Sequence, residues 1–404
     1  MTDRAEAPRS VLHVAGVLED RWCGVRNSVV ELARAQAGLG YGAAIHSTAT
    51  PSSAPDGPPA DAGVRVFASP IVGPAALRYS PRAERWAASA EAADFDVLHQ
   101  HGIWLALSRM TIRWRKVHGG PTVITPHGSL EKVPLTYSRW KKTLALAAYE
   151  RENLRGASCL HATAEREVDG FRDLGLRNPV AVIPNGVPES WTRSQGDAER
   201  FRAAHGLPPR ARLLLYLSRI HPKKGLLGLV EAMGSVRGRL PGWHLVVAGP
   251  VQDSAYHERV RRRAQEEELA DRVHWVGPLY EQDKRDAFAA AELFVLPTLS
   301  ENFGIVVAEA LGAGVPVLTT REALPWRVLE EHGCGWWIPV GGASLAAALV
   351  EATGRSAADL AAMGARGAAL VEQRFLWSRV AAETLRLYGW LLGEATRPEF
   401  VVLD

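Results

Sequence analysis

The chain has 404 residues, 47% of them hydrophobic, and a formal net charge of +3. That length calls for two or three domains with sizeable cores. The near-balanced charge, with no polybasic tail and no run of aromatics interleaved with Lys and Arg, argues against nucleic acid as the main partner. Cys23, Cys159 and Cys334 are too few and too scattered for a disulfide framework or a zinc site, and they read as reduced thiols of a cytosolic protein. No segment approaches 18 apolar residues, so no membrane span is expected. Residues 1–10 are polar and charged, lack an apolar h-region, and read as a frayed tail rather than a signal peptide.

In chain order, Val11–Ala15 reads as a buried strand, followed by a loop to Gly24 and a periodic helix from about Asn27 to Gly38. A second strand, Ala43–Ser47, completes a βαβ opening. Thr48–Gly63 is rich in Pro, Ala and Ser and reads as a surface loop. Strands are then expected at Val64–Phe67, Phe95–His99, Pro121–Thr125, Ser158–Ala162 and Val180–Ile183. The turn-rich stretch from Pro184 to Pro188, with polar residues soon after it, marks a domain boundary. A second series of strands follows at Arg212–Leu217, His244–Ala248, Val273–Val276, Ala291–Leu296 and Val315–Thr319. The tail Phe375–Leu392 reads as an amphipathic helix. Strands alternating with helical stretches predict an α/β chain of two doubly wound domains with parallel sheets. The boundaries are placed at 1–188, 189–374 and 375–404.

Ligands of such sheets lie outside the carboxyl ends of the strands. There, after the first strand of the second half, stand Arg219 and Lys224, a fork and a point charge suited to a diphosphate. An ordinary basic loop is the competing reading. Further on, Glu301 lies on a loop after an apolar strand, and Glu309 lies eight positions later on the helix behind it. The amides of Phe303, Gly304 and Ile305 would be open donors at that helix N-terminus. A capping acid is the plain alternative for one such Glu. His101 and His127 each follow a strand and precede Gly, and both are expected to point at one crevice. A satisfied structural histidine is the plain alternative for each. Gly24 stands where the first loop meets its helix and would admit close approach of a ligand. No Walker loop and no G-x-G-x-x-G is present, which speaks against ATP-driven and dinucleotide chemistry. No metal-ligand constellation is visible. Arg113-Trp114-Arg115-Lys116 and Arg139-Trp140-Lys141-Lys142 combine Trp with bases. They read either as solvated helix faces or as a membrane-surface patch.

Taken together these motifs resemble the retaining GT-B glycosyltransferases of family 4 (glycosyltransferase group 1). Ser218-Arg219 through Lys224-Gly225 resembles the diphosphate-binding Arg and Lys of that family, Glu301 to Glu309 its E-x7-E motif, and Glu309 to Val317 the helix, turn and strand that follow. Gly24, His127-Gly128 and Ile183-Pro184-Asn185-Gly186-Val187 carry the likeness in the first half. One departure is Val25, where many members have a second glycine. Arg26 beside it is offered as a contact for an acidic acceptor.

The resemblance implies two Rossmann-like domains facing across a cleft, with a C-terminal helix crossing back to the first domain. It implies a nucleotide-sugar donor held by the second domain. Arg219 and Lys224 would neutralise the diphosphate, and Glu309 would accept hydrogen bonds from the ribose. Glu301, with Asn302 and the amides of Phe303, Gly304 and Ile305, would hold the sugar and phosphate. The base would lie near Gly277 and Leu279. His127 would reach toward the sugar, and the Gly24 loop toward the β-phosphate and the acceptor. Neither cofactor nor metal is implied, since the nucleotide-sugar is a substrate. The expected function is retaining transfer of a hexose-type sugar, from a UDP- or GDP-sugar, to a hydroxyl of a glycan or lipid-linked acceptor in bacterial polysaccharide synthesis. Glycosylation of a small secondary metabolite, and a GT-B epimerase or hydrolase, are the alternatives. The expected setting is the cytoplasm, with peripheral contact at the inner face of the membrane left open.

Overall fold

The apolar runs form fourteen strands in two sheets among the residues that the computed structural model describes, which are 9–16, 18, 24–50, 63–130, 139–193 and 196–403. Readings that fall on the N-terminal tail 1–8, the loop around Cys23, the loop 51–62, and residues 194–195 lie outside that set. Two compact units result. One comprises Met1–Gly186 with Trp377–Asp404, and the other Val187–Leu376.

The first unit holds β1 (Ser10–Ala15), β2 (Gly42–Ala49), β3 (Arg65–Pro70), β4 (Val97–His101), β5 (Thr122–Thr125), β6 (Cys159–Ala162), β7 (Val180–Val182) and β14 (Val401–Val402). Their order is β14-β7-β6-β5-β4-β1-β2-β3. Every pairing is parallel except β14 on β7, an antiparallel edge addition of two residues that the sequence pattern does not announce. The strands inside the sheet are buried on both faces, as parallel sheets with helices on each side require, and the edge strands β3 and β14 are partly exposed. Val11, Ala15, Val97, Val123, Cys159 and Ala181 face the helices Gly24–Gly38 and Trp377–Leu391, which pack on each other. Leu12, Val14 and Leu98 face the helix Ser108–His118. The tail helix thus packs within the first unit. It starts at Trp377 because the preceding helix, Ala357–Arg374, stops at Phe375, whose amide caps the Val371 carbonyl at 2.8 Å.

The second unit holds β8 (Arg212–Leu217), β9 (Trp243–Ala248), β10 (Val273–Gly277), β11 (Leu293–Leu296), β12 (Val317–Thr320) and β13 (Gly335–Ile338), in the order β10-β9-β8-β11-β12-β13 and wholly parallel. Both sheets are doubly wound, and each unit is Rossmann-like. The order reverses at β8, so the β8–β11 edge is a switch point where a ligand crevice is expected.

β4 departs from expectation. It ends at His101, not His99, because its polar residues find partners inside the unit. His13, His99, His101 and His161 are all buried. Burial holds His13, His46 and His161 down at about 4, against an ordinary 6.5. The unfolded chain takes up protons below pH 6.5 that the folded chain refuses, so stability is complete above 6.5 and declines as pH falls toward 4. These three rings together remove about 4 kcal/mol per pH unit in that window. The thermal midpoint is expected to drop by roughly 10 °C or more from pH 7 to pH 5. Equal midpoints would contradict neutral burial.

Candidate active site

The second unit gathers its charged residues at the carboxyl ends of β8 and β11. After β8 the chain passes Gly249, whose φ of +136° leaves its Cα facing the Ser218 carbonyl with no space for a side chain. His221 then starts a short 3-10 turn, its Nδ1 accepting from the Lys223 amide at 3.2 Å. Gly225, at φ +73°, closes the turn against the Pro297 carbonyl. The loop after β11 locks onto it, because the Leu299 amide and the Thr298 hydroxyl both donate to the Lys223 carbonyl, at 2.7 and 3.1 Å. Lys224 is thereby buried at 8% exposure and ion-paired with Glu301. Arg219 stays exposed and donates to Gln252 at 3.0 Å.

Glu301 is fixed at its backbone too, since its amide donates to the Glu322 carbonyl at 3.0 Å. Gly304, at φ +74°, turns the chain into the helix Ile305–Gly312. The amides of Phe303, Gly304 and Ile305 have no acceptor among the described residues and are donors at that terminus. The Phe303 side chain is a core anchor, with ring centroids 5.3 Å from Trp326 and 6.0 Å from Phe375. Trp326 Nε1 donates to the Phe303 carbonyl. Of Phe303 itself, the backbone amide is therefore the group left for a ligand. One turn on, buried Glu309 is ion-paired with Lys284 of the helix Glu281–Ala290, whose ammonium also lies 5.3 Å from the Trp191 ring centroid. The two glutamates are thus the acidic halves of two Lys–Glu pairs, and sequence spacing gave no hint of Lys284. Gly277, at φ +75°, ends β10 with a register shift and accepts from the Gly249 amide at 2.8 Å. Leu279 is buried, which leaves its backbone as the contact surface. An apolar pocket of about 270 Å³ between Pro222, Gly225, Tyr256, Pro297, Ile338 and Leu345 borders the loops after β8 and β11, and none of the four paired charges lines it.

In the first unit His127 has φ +51°, a left-handed backbone uncommon for histidine. Buried Glu167 enforces it by accepting from the Gly128 amide at 2.8 Å and from the Thr163 amide and hydroxyl at 2.8 and 2.7 Å. Burial lowers the His127 ring to about 3, so it is neutral. His101 does not share its crevice. It is buried behind His127, with Nδ1 3.3 Å from His127 Nε2. Gly24 opens its helix with no described atom near the position of an added Cβ. Arg26 holds the Leu18 carbonyl at 2.7 Å. His13, His99 and His101 have nitrogens within 4.8 Å of one another, close enough for a cation. All six of those nitrogens are engaged, however, by Gln36, Tyr388, Thr125, His127 or each other.

The Trp-basic segments also separate. Trp114 is fully buried and donates to the Ala92 carbonyl, while Arg115 binds the Glu152 and Asn153 carbonyls. That segment is core and cap, not a surface patch. On the helix Arg139–Ala145, in contrast, Trp140 and Leu144 are 66% and 61% exposed, with Lys141 beside the Trp140 ring. Cys159 and Cys334 are buried, and burial pushes their thiols up to about 12 and about 11.

Residues 197–366 match the family described as glycosyl transferases group 1, and residues 23–186 match a glycosyl transferase 4-like domain. A phosphatidyl-myo-inositol mannosyltransferase of Mycobacterium leprae is 30% identical over 373 residues, covering 90% of this chain and 92% of that protein. The chain belongs to the group 1 glycosyltransferases. It is also 28% identical, over 76% of its length and 77% of the other, to a GDP-mannose:cellobiosyl-diphosphopolyprenol alpha-mannosyltransferase of Xanthomonas campestris. Solved structures share the GT-B fold of this glycosyltransferase. Sucrose-phosphate synthase of Thermosynechococcus elongatus aligns at TM-score 0.76 and 22% identity, over 96% of this chain and 100% of that one. Anabaena HepE, in complex with UDP and glucose, aligns at 0.72 and 18%, over 93% and 98%. Among the described residues no helix is long and apolar enough to cross a membrane.

Replacing Lys284 with Ala strands the buried Glu309 carboxylate and should destabilise the second unit by about 1–3 kcal/mol. Adding Glu309→Gln to that variant should restore part of the loss. Denaturant unfolding of the single and double variants measures both, and additive losses would refute the pairing.

Proposed function

We propose that this glycosyltransferase moves a hexose-type sugar from a nucleoside-diphosphate donor to a hydroxyl of a lipid-linked or glycolipid acceptor, with retention and without a metal. The observation that carries the reading is the Lys224–Glu301 pair beside open helix amides and Arg219. A departing diphosphate brings negative charge to that place. Arg219, Lys224 and the amides of Phe303, Gly304 and Ile305 neutralise it as preorganised donors, which is the task a divalent cation performs elsewhere. On this reading Lys224 exchanges its bond to Glu301 for one to phosphate. Glu301, released, accepts from the sugar hydroxyls, and Glu309 accepts from the ribose. His127 contacts the sugar. The base meets the backbone at Gly277 and Leu279. Attack on the same face that the diphosphate leaves gives retention, with a phosphate oxygen taking the acceptor proton.

Support for the acceptor class comes from the relatives, a phosphatidyl-myo-inositol mannosyltransferase and a cellobiosyl-diphosphopolyprenol mannosyltransferase. GDP-mannose, the donor of the Xanthomonas campestris relative, comes first among donors to be tried. The helix carrying exposed Trp140 and Leu144 beside Lys141 and Lys142 supports contact with an anionic membrane surface, where such acceptors reside.

Calorimetry with GDP and UDP tests the diphosphate site. Lys224→Ala should weaken the better ligand by ~1.5–3 kcal/mol, the value of a hydrogen bond to a charged group. Unchanged affinity would reject the assignment. Proton NMR of the first product reads its anomeric configuration, and inversion would reject front-face attack. Turnover of donor without any acceptor would favour a hydrolase or epimerase, and turnover only with a small soluble acceptor would favour metabolite glycosylation. Co-sedimentation with vesicles should rise with anionic lipid content and fall in Trp140→Ala with Lys141→Glu. Binding indifferent to lipid charge would sink the membrane contact.

A further inference from the structure

The polar side chains on one face of the first sheet form a single hydrogen-bonded line. It runs from His127 to His101 (3.3 Å), His13 (2.9 Å) and Gln36 (2.7 Å), continues to the Tyr388 hydroxyl (3.5 Å), His99 (2.6 Å), Thr125 (2.7 Å) and His161 (2.9 Å), and ends on the Ile183 carbonyl (2.8 Å). Every ring in it is held neutral by burial, so each carries one proton and one lone pair.

The far end decides where those protons sit. A carbonyl only accepts, so His161 carries its proton on Nε2 and its Nδ1 must accept. Thr125 therefore donates to His161 and accepts from Nε2–H of His99. Nδ1 of His99 then accepts from the Tyr388 hydroxyl. The Tyr388 oxygen accepts from the Gln36 amide group, which turns Oε1 of Gln36 toward His13 and puts the His13 proton on Nε2. Nδ1 of His13 accepts from Nε2–H of His101, and Nδ1 of His101 accepts from Nε2–H of His127. Reversing all the bonds at once would leave an Nε2 lone pair of His161 against the Ile183 carbonyl, two acceptors facing each other in the core.

We propose that this line is a tautomer lock, which fixes His127 as its Nε2–H form so that the ring offers substrate only the Nδ1 lone pair. No described residue engages that nitrogen. His127 then accepts a hydrogen bond from a sugar hydroxyl and cannot donate one to an anionic oxygen. Tyr388, Thr125 and His161 are positioning residues that act through His127. The inference rests on the reading of His127 as a substrate contact.

Tyr388→Phe cuts the line at the link that carries the constraint. Gln36 can then turn over, and His13, His101 and His127 can reverse their protons without opposing the Ile183 carbonyl. Long-range proton–nitrogen NMR of the full chain, ligand-free and labelled in histidine, reads the tautomer directly, with the His127 signal assigned by its loss in His127→Gln. His127 is expected as Nε2–H in the unmodified protein and as a mixture or Nδ1–H in Tyr388→Phe. An Nδ1–H ring in the unmodified protein, or an unchanged ring in the variant, overturns the lock. Turnover tests the rest. Tyr388→Phe should lower kcat about three- to tenfold, the effect of one hydrogen bond. In a His127→Gln background the same change should have no effect, because an amide presents its oxygen whatever the network does. A purely structural role for Tyr388 would lower kcat equally in both backgrounds and overturns the proposal. A tautomer change with full kcat keeps the lock but refutes His127 as a substrate contact.

Discussion

A polar side chain placed beneath the helices of a doubly wound sheet has no water to turn to. It must find its partner inside the protein or cost several kilocalories. This constraint shapes both units. In the second, Lys224 pairs with Glu301 and Lys284 with Glu309, one partner of each pair buried and the other half-buried. In the first, buried Glu167 is satisfied by donors that also bend the chain at His127 and Gly128. Glu150 follows the same rule. Burial raises its carboxyl, while Asn153, Ser108 and the Trp104 amide supply hydrogen bonds that pull it back.

The paired glutamates give a plain account of how one site serves two states. Without a ligand, each carboxylate balances the charge of its lysine, and the unit folds without stranded charge. On the proposed reading, a diphosphate competes for the Lys224 ammonium with more negative charge, and an exchange of partners costs less than exposing a bare cation. The backbone does not have to move for this. The loops after β8 and β11 are already tied together through the Lys223 carbonyl, and Gly225 and Gly249 permit approaches that a side chain would block.

Much of the architecture was legible in the sequence because buried parallel strands are written as short apolar runs. Leu213–Leu217 is such a run, and β8 coincides with the expected strand Arg212–Leu217 that holds it. The place of Arg219 and Lys224 just after β8 was legible too, from the apolar run that precedes them. What stayed hidden was set by tertiary contacts. Gln100 and His101 read as a loop, yet they end β4, since their partners come from other helices and strands. Trp114 among three cations looked like a surface residue, and its helix turns it into the core. Lys284 sits in an ordinary charged helix, and only the fold brings it to Glu309. The two-residue strand β14 is too short for any pattern.

The proton order of the histidine line has a consequence for how such a core can change over generations. Each member is defined by what its neighbour leaves it to do, so replacing one alone strands a donor or an acceptor in the core. Substitutions at positions 13, 36, 99, 101, 125, 161 and 388 should therefore covary as a block, while the apolar residues alternating with them drift one at a time.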